Sequence, residues 1–148
     1  MQKTLVLLKP DAVQRRLVGE IIGRFERKGL RLVALKMVQA SRELAERHYA
    51  VHRGKPFYES LLAFLTSGPT VAMVWEGREA VSVARLLMGL TDGARSAPGT
   101  IRGDFGLSVQ NNLIHGSDSP ENAEAEIALW FHPEELVHYT SSDAAWIG

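Results

Sequence analysis

The sequence lacks cysteine, net charge and long apolar runs, and each absence excludes a class of protein. Without cysteine among its 148 residues, the chain can form neither a disulfide framework nor a thiolate metal site. Lys and Arg number 17, as do Asp and Glu, so no overall positive field attracts nucleic acid. The N-terminal apolar run, 5–8, is too short for a signal-peptide core or a membrane span. We therefore expect a soluble, cytoplasmic protein with no membrane partner, for which nucleic acid is not the main partner.

Three common active-site motifs are also missing. The sequence has no G-x-x-x-x-G-K-[ST] phosphate loop and no G-x-G-x-x-G turn, which argues against a P-loop kinase and a Rossmann enzyme. His48 and His52 have the spacing of H-E-x-x-H, but Tyr49 replaces its glutamate, so a zinc protease is not predicted. We expect these two histidines at the surface or partly packed.

Strand and helix signals alternate along the chain. Apolar or alternating runs predict strands over 4–8, 30–38 and 70–75. Apolar spacing, N-cap serines and first-turn prolines predict helices at several places. The predicted helices cover 18–28, with Gly29 as the C-terminal cap, 41–51, a segment from Pro56 to before 67–69, 81–88 and 119–130.

Two segments show no sustained periodicity. The first, 90–114, contains one proline and four glycines, and a loop of this length in a small domain is either functional or disordered. Within it, 107–109 could form one short strand. The second is the irregular C-terminal tail from about 132 to 148, where we expect Tyr139 and Trp146 to anchor the chain.

The order of the elements indicates an α/β or α+β fold in a single domain, 1–148. No internal repeat or linker interrupts the chain. An apolar sheet with helices on one face, of the ferredoxin-like kind, is the architecture we expect, and periodicity alone does not separate it from a small doubly wound sheet.

One histidine has surroundings that suit phosphate chemistry. His115 stands between a short apolar stretch and Gly116, just before a helix cap. The glycine would leave room for a bulky reactant, and the helix N-terminus would favour a phosphate. A neutral imidazole can attack phosphorus near pH 7. The adjacent Ser117 and Asp118 do not indicate a hydrolase triad, because triad members converge from separated positions.

Three cationic side chains could serve such a histidine. Arg85 and Arg102 are candidate clamps, since a guanidinium fork matches phosphate oxygens. Lys9 follows a buried strand, so its charge would lie at a sheet edge. Taken singly, each is compatible with an ordinary surface residue, and together they indicate a possible phosphate site.

A series of segments across the whole chain carries a family resemblance, and 112–118, N-L-I-H-G-S-D, is the most specific of them. The segments are 4–11, 18–22, 48–49, 55–57, 67–69, 100–105, 112–118, 126–131 and 133–136. In this order, they resemble the nucleoside diphosphate kinase family. The resemblance implies a ferredoxin-like sandwich with an antiparallel four-stranded sheet and helices packed on it.

The resemblance also implies a ping-pong reaction. His115 would take the γ-phosphate of a nucleoside triphosphate, usually ATP, and pass it to a nucleoside diphosphate from the phosphohistidine form. Covalent catalysis of this kind divides one transfer into two matched steps. The substrates would be nucleoside tri- and diphosphates, with Mg²⁺ held through their phosphates rather than by a carboxylate cage.

The resemblance assigns roles to further residues. Glu126 would fix the imidazole tautomer and Tyr49 would lie beside the histidine. Arg85, Thr91 and Arg102 would bind the β- and γ-phosphates. Lys9 and Asn112 would hold the sugar hydroxyls, with Lys9 also near the transferred group, and Phe57 would stack on the base.

The resemblance also predicts the assembly, and the sequence departs from the family pattern at two positions. The C-terminal tail resembles that of hexameric members, so we expect a homohexamer, with a homotetramer as the alternative. Gly93 stands where members commonly carry proline, in a loop that contributes to subunit contacts, so the more flexible residue bears on oligomer stability. Ala12 replaces a common glycine, which is harmless if the backbone there does not need positive φ.

Two alternatives remain at this point. One is a catalytically silent nucleotide-binding or regulatory module of the same fold. It is disfavoured because His115, Lys9, Arg85, Arg102 and Asn112 are all present. The other is a different phosphotransferase or a phosphatase on a similar scaffold.

Overall fold

The two central strands of the sheet are apolar enough to be covered on both faces. A computed structural model, which describes residues 1–148, contains one antiparallel sheet in the order β2-β3-β1-β4. The strands are β1 (Gln2–Leu8), β2 (Arg31–Val38), β3 (Thr70–Gly77) and β4 (Ile114–Gly116). This four-stranded antiparallel sheet with packed helices confirms the expected ferredoxin-like fold.

Eight α-helices accompany the sheet. They are α1 (Pro10–Gln14), α2 (Val18–Lys28), α3 (Arg42–His48), α4 (Tyr58–Leu65), α5 (Ala80–Met88), α6 (Ile101–Phe105), α7 (Pro120–Trp130) and α8 (Ala144–Ile147). The core order is strand, helix, two strands, helix and strand, formed by β1, α2, β2, β3, α5 and β4. Helices α3 and α4 are inserted between β2 and β3.

The expectation that helices cover only one face of the sheet is wrong. Along β1, Val6 and Leu8 belong to one buried cluster, which includes residues of α2 and α5. Leu5 and Leu7 belong to the other, which includes residues of α3, α4 and α7. Because successive strand residues point to opposite faces, an unbroken apolar strand needs cover on both sides.

Most predicted helix boundaries hold because the capping residues act as expected. Gly29 ends α2 with a φ of 109°, and the Ser41 and Ser119 hydroxyls accept N–H groups at the starts of α3 and α7. The predicted helix over 41–51 ends early, at His48, and a 3₁₀ turn, Ala50–His52, follows it.

The segment 90–114 is more ordered than its sequence suggests. It contains a 3₁₀ turn at Gly93–Arg95 and the short helix α6, which Thr100 caps through Gly103 N. The strand expected over 107–109 is wrong: Leu107 is 86% exposed and no strand pairs with it. A Cβ on Gly93 would lie 2.5 Å from the carbonyl carbon of Gly106. The glycine therefore permits this close approach of the loop to itself.

The C-terminal tail follows β2 before it turns away. Val137 N donates to Val33 O at 2.9 Å, and Tyr139 OH donates to Leu32 O at 2.5 Å. Tyr139 therefore anchors the tail. Trp146 is 89% exposed, so the expectation that it anchors the tail to its own chain is wrong.

Among the helices, none combines the length and the apolar character that a membrane span needs.

Candidate active site

All nine predicted site residues line one cavity of about 1010 Å³ at the β4 edge of the sheet. β4 pairs with β1, and His115 lies opposite Leu7 in that pairing. Helix α7 and the ends of α3 and α5 supply the walls. The lining residues predicted from the sequence are Lys9, Tyr49, Phe57, Arg85, Thr91, Arg102, Asn112, His115 and Glu126.

The His115 imidazole is held through one of its two nitrogens. Its Nε2 lies 2.9 Å from Glu126 Oε1. Ser117 Oγ donates to the same carboxylate oxygen at 2.7 Å and accepts the Leu5 N–H at 3.2 Å. A carboxylate only accepts hydrogen bonds, so the bond to His115 places the imidazole proton on Nε2. Nδ1 is left with its lone pair and no partner within the chain.

The Glu126 carboxylate stays ionised in this arrangement. Partial burial alone would raise its pKa, but the hydrogen bonds from His115 and Ser117 lower the pKa below its ordinary value. An ionised carboxylate can therefore hold the His115 tautomer and balance positive charge that develops on the ring.

A second histidine packs against the first. The His48 and His115 rings meet edge to face with centroids 4.6 Å apart. Trp130 Nε1 donates to His48 Nδ1 at 3.1 Å. Burial is the main cause that lowers the pKa of His48 to about 3, so this ring is neutral. His48 was expected as a surface or partly packed residue, and it is half-buried, in the wall of the cavity.

His48, His115 and Glu126 have the composition of a metal site. Their ligand atoms lie within 4.8 Å of one another. However, the indole of Trp130 can only donate, so the neutral His48 carries its proton on Nε2 and offers no free lone pair. The three side chains are therefore arranged as a hydrogen-bonded group rather than as ligands.

Lys9 is a buried cation with few anionic neighbours. Its Nζ donates to Asn112 Oδ1 at 2.8 Å, and the residue is 9% exposed. Burial and the positive charge of Arg102 lower the pKa of Lys9 to about 8, against a smaller opposing effect of Asp11. A cation held at such a cost leaves the site suited to an anionic ligand.

Arg102 is fixed in place by backbone carbonyls. Its Nε donates to Asn112 O at 3.0 Å, and its two terminal nitrogens donate to Gly89 O at 3.4 Å and Ile114 O at 2.5 Å. Burial, with the charge of Arg85, lowers the pKa of Arg102 to about 10. Three of its five N–H groups are used, and two remain for a ligand.

The remaining lining residues differ in how firmly they are held. Arg85 is exposed and donates to Gly116 O at 3.1 Å. Thr91 O accepts from Asn112 Nδ2 at 3.2 Å. Phe57 is 46% exposed at the cavity mouth, where His52 contacts its ring edge to face. Its exposed ring can accept a flat ligand.

Tyr49 lies beside His48 in the wall of the cavity that contains His115. Its ring contacts His48 edge to face at 4.7 Å, and His48 in turn contacts His115. Burial and the nearby charge of Glu126 raise the pKa of Tyr49 to about 12, so its hydroxyl remains protonated.

Gly116 lines the cavity and also packs closely against a helix. A Cβ at this position would lie 2.5 Å from Met88 Sδ of α5. The expectation that this glycine leaves room beside His115 for a bulky reactant stays a prediction, since Gly116 also lines the cavity. Its absent side chain allows β4 to lie directly against α5.

Four residues of the site were not identified from sequence: Asp11, His48, Ser117 and Trp130. For Ser117 a signal existed, because strand side chains two apart share a face and this serine follows His115 by two. For Asp11, His48 and Trp130, long-range contacts create the role, and no local pattern shows them.

Comparison with known proteins agrees with this geometry. The family model described as "Nucleoside diphosphate kinase" matches residues 2–136. A nucleoside diphosphate kinase of Carboxydothermus hydrogenoformans is 58% identical over 147 residues, 99% of either chain.

Solved structures give the same result. A nucleoside diphosphate kinase of Halobacterium salinarum, in complex with CDP, superimposes with a TM-score of 0.97 at 50% identity and covers 99% of this chain and 98% of its own. A nucleoside diphosphate kinase family protein from Babesia bovis gives a TM-score of 0.97 at 47% identity, with both chains covered completely. The chain belongs to the nucleoside diphosphate kinase family.

Proposed function

We propose that this protein transfers the γ-phosphate of a nucleoside triphosphate, usually ATP, to a nucleoside diphosphate, and that His115 carries the phosphate between them. The observation that carries the proposal is the geometry of one imidazole. Glu126 holds Nε2, and Nδ1 is left without a partner in a cavity lined by Lys9, Arg85 and Arg102.

The proposed reaction consists of two mirror-image transfers. The lone pair of Nδ1 attacks the γ-phosphorus, and the bond from that phosphorus to the bridging oxygen breaks. The nucleoside diphosphate leaves with the electron pair. The ring keeps its Nε2 proton throughout, and the Glu126 carboxylate balances the charge that develops on the imidazole. A second diphosphate then attacks the phosphohistidine by the reverse path.

The cations would neutralise the phosphates during transfer. Phosphoryl transfer depends chiefly on positioning and on charge stabilisation. Arg102 is held rigidly by three carbonyls, so its two free N–H groups would bind phosphate oxygens with little loss of freedom. Arg85 and Thr91 would complete the β- and γ-phosphate contacts, and Lys9 would reach the transferred group.

Asn112 and Phe57 would bind the nucleoside. Asn112 is joined to Lys9 Nζ and to Thr91 O, so these residues can present donors to sugar hydroxyls as one unit. The exposed ring of Phe57 would stack on the base. In the wall behind the nucleophile, Tyr49 would support His115 through His48.

Stacking on Phe57 predicts broad use of bases, because every base has a π-face. We expect kcat/KM for purine and pyrimidine diphosphates to differ by less than about tenfold, since stacking supplies affinity without reading base edges. Steady-state assays with the four common diphosphates and one donor would test this. A single accepted base would contradict the stacking role.

The residues present fit Mg²⁺ that arrives with the nucleotide. The two carboxylates that line the cavity are engaged: Glu126 Oε1 accepts from His115 and Ser117, and Asp118 Oδ1 accepts from Asn122. They do not form an oxygen cage, and Mg²⁺ commonly keeps its waters and binds through phosphates. When bound, the ion would neutralise phosphate charge and hold the phosphate chain in shape.

The substitution Glu126→Gln should slow phosphorylation of His115. The introduced amide can turn its N–H to the ring, which favours the wrong tautomer, and the balancing charge is lost. We expect a roughly 10- to 100-fold lower rate of phosphohistidine formation in a single turnover, typical for a residue that orients a reactive group. Glu124→Gln, on the exposed side of α7, is the matched control. Equal rates for both variants would reject this role.

We also propose that 1–148 acts as one kinase domain, with its tail beginning at about 132, and that the chain assembles into a homohexamer, or alternatively a homotetramer. The edge strand β2 exposes Leu35 and Met37, at 52% and 62%. An edge strand with exposed apolar side chains favours pairing with a second chain. Native mass spectrometry would give the subunit number, and a monomer would contradict the proposal. The proposed location is the cytoplasm, where nucleotides are made and used.

The enzyme is distinguished from a silent nucleotide-binding module by one incubation. With Mg²⁺ and ATP but no acceptor, we expect release of one ADP per site, together with an acid-labile phosphoprotein. A silent module would bind ATP without releasing ADP. Continuous release of phosphate to water would indicate a phosphatase, and an acid-stable phosphoserine would indicate a different phosphotransferase.

A further inference from the structure

A strained turn joins the nucleotide-binding residues to the nucleophile. Leu113 is fully buried and has a φ of 73°, a value that branched, bulky residues rarely adopt. Ile114 N donates to Asn112 O at 2.8 Å, so 112–114 form a γ-turn with positive φ, a rare and strained form. Such strain persists only where the surroundings fix it, and it is concentrated at functional sites.

Three residues hold this turn from outside. Asp11 Oδ2 accepts the Leu113 N–H at 3.1 Å, and Lys9 N donates to Leu113 O at 2.8 Å. Arg102 donates to the carbonyls on both sides, those of Asn112 and Ile114. The only side chain that accepts the central N–H is therefore that of Asp11.

The turn sets the spacing of the whole site. Asn112, the first residue of the turn, accepts a hydrogen bond from Lys9 Nζ. His115 follows the last residue of the turn directly along β4. Relaxation of Leu113 to an ordinary φ would rotate the neighbouring peptides. It would change the distance between the phosphate-binding cations and the imidazole.

We propose that Asp11 is a positioning residue whose carboxylate, through its hydrogen bond to Leu113 N, holds the strained turn and so sets His115 at the correct distance from Lys9, Asn112 and Arg102. Its other oxygen, Oδ1, is buried and has no hydrogen-bond partner. The Leu113 N–H is the donor from a distant part of the chain that the structure pairs with this side chain. The inference rests on the proposed phosphotransfer.

The competing explanation is that Asp11 acts only as a negative charge near Lys9 and Arg102. Asp11→Asn and Asp11→Ala separate the two. Asparagine keeps an oxygen acceptor for Leu113 N but loses the charge, whereas alanine loses both. If the hydrogen bond matters, Asp11→Asn should keep the single-turnover phosphorylation rate within about fivefold of wild type, and Asp11→Ala should lower it about 100-fold, as small misplacements of reacting groups do.

Two further readouts complete the test. Because the misplacement affects the transfer step, we expect kcat to fall in Asp11→Ala far more than the KM for nucleotide rises. Hydrogen exchange of the Leu113 amide in the nucleotide-free protein should be slow in wild type and Asp11→Asn and fast in Asp11→Ala. Equal loss of rate in both variants, or full rate in both, would overturn the proposal. A wild type that is never phosphorylated would instead remove the proposed function, while the exchange data would still report on the turn.

Discussion

His115→Ala should lose at least about 10⁴-fold in kcat and form no phosphoprotein, because removal of a nucleophile that acts covalently leaves only binding and positioning. The substitution removes a partly exposed ring and should leave the fold intact. Intact mass after incubation with Mg²⁺ and ATP, together with coupled assay of triphosphate formation, measures both effects.

The matched control for this substitution is His138→Ala. This histidine is exposed on the tail, outside the cavity. We expect wild-type activity and one phosphoryl group per chain. Retention of the phosphorylated species in His115→Ala, with an unchanged thermal transition, would place the modified residue elsewhere.

Lys9→Met should lower kcat/KM by about 10²- to 10³-fold, comparable to the loss of one preorganised donor to developing charge. The buried amine donates to Asn112, and methionine fills a similar volume without carrying a charge. The wild-type kcat/KM should also fall as the pH rises through about 8, because Lys9 of the nucleotide-free enzyme loses its proton there. That limb of the pH profile should be absent in the variant.

The same substitution should not destabilise the nucleotide-free protein at pH 7. The pKa of Lys9 is lowered from 10.5 to about 8, so its charged form costs roughly 3 kcal/mol in the folded state. The loss of the hydrogen bond to Asn112 offsets part of the stability that is gained when this charge is removed. We expect an unfolding free energy equal to that of wild type or up to about 2 kcal/mol higher, since active sites commonly sacrifice stability.

The pH dependence of stability gives an independent check. Between pH 8 and 10.5 the unfolded chain keeps the Lys9 proton and the folded chain has released it. The unfolded state then binds more protons, so stability rises with pH in this window. Urea titrations should show a steeper rise for wild type than for Lys9→Met. Lys28→Met, on the exposed face of α2, should follow wild type. Identical slopes in all three proteins would contradict the buried charge.

Sequence patterns correctly predicted those elements whose structure depends on residues that are close together in the chain. The strand over β1 and the helix α2 follow from apolar patterning and from Gly29, whose φ of 109° suits glycine. The replacement of glycine by Ala12 is tolerated because Ala12 does not have positive φ. The sequence pattern alone made His115, Lys9, Arg85 and Arg102 a possible phosphate site. The other five site residues, and the roles of all nine, came from the family resemblance, because each of these residues alone has the pattern of an ordinary surface or core residue.

What the sequence did not show depends on contacts between distant segments. Asp11 and Leu113 are 102 positions apart, and only the folded sheet makes them neighbours. The close packing of Gly116 against Met88 likewise joins two elements that lie apart in the sequence. The helices α1 and α6 have five residues each, too few to give a periodic signal.

The most direct measurement isolates the modified protein and supplies an acceptor. After treatment with Mg²⁺ and ATP, the protein is separated from nucleotide and mixed with a nucleoside diphosphate. We predict that the phosphoryl group moves to the diphosphate, giving one triphosphate per site and restoring the unmodified mass. A phosphoprotein that keeps its phosphate, or yields it only to water, would show that the modified protein is not an intermediate in transfer between nucleotides.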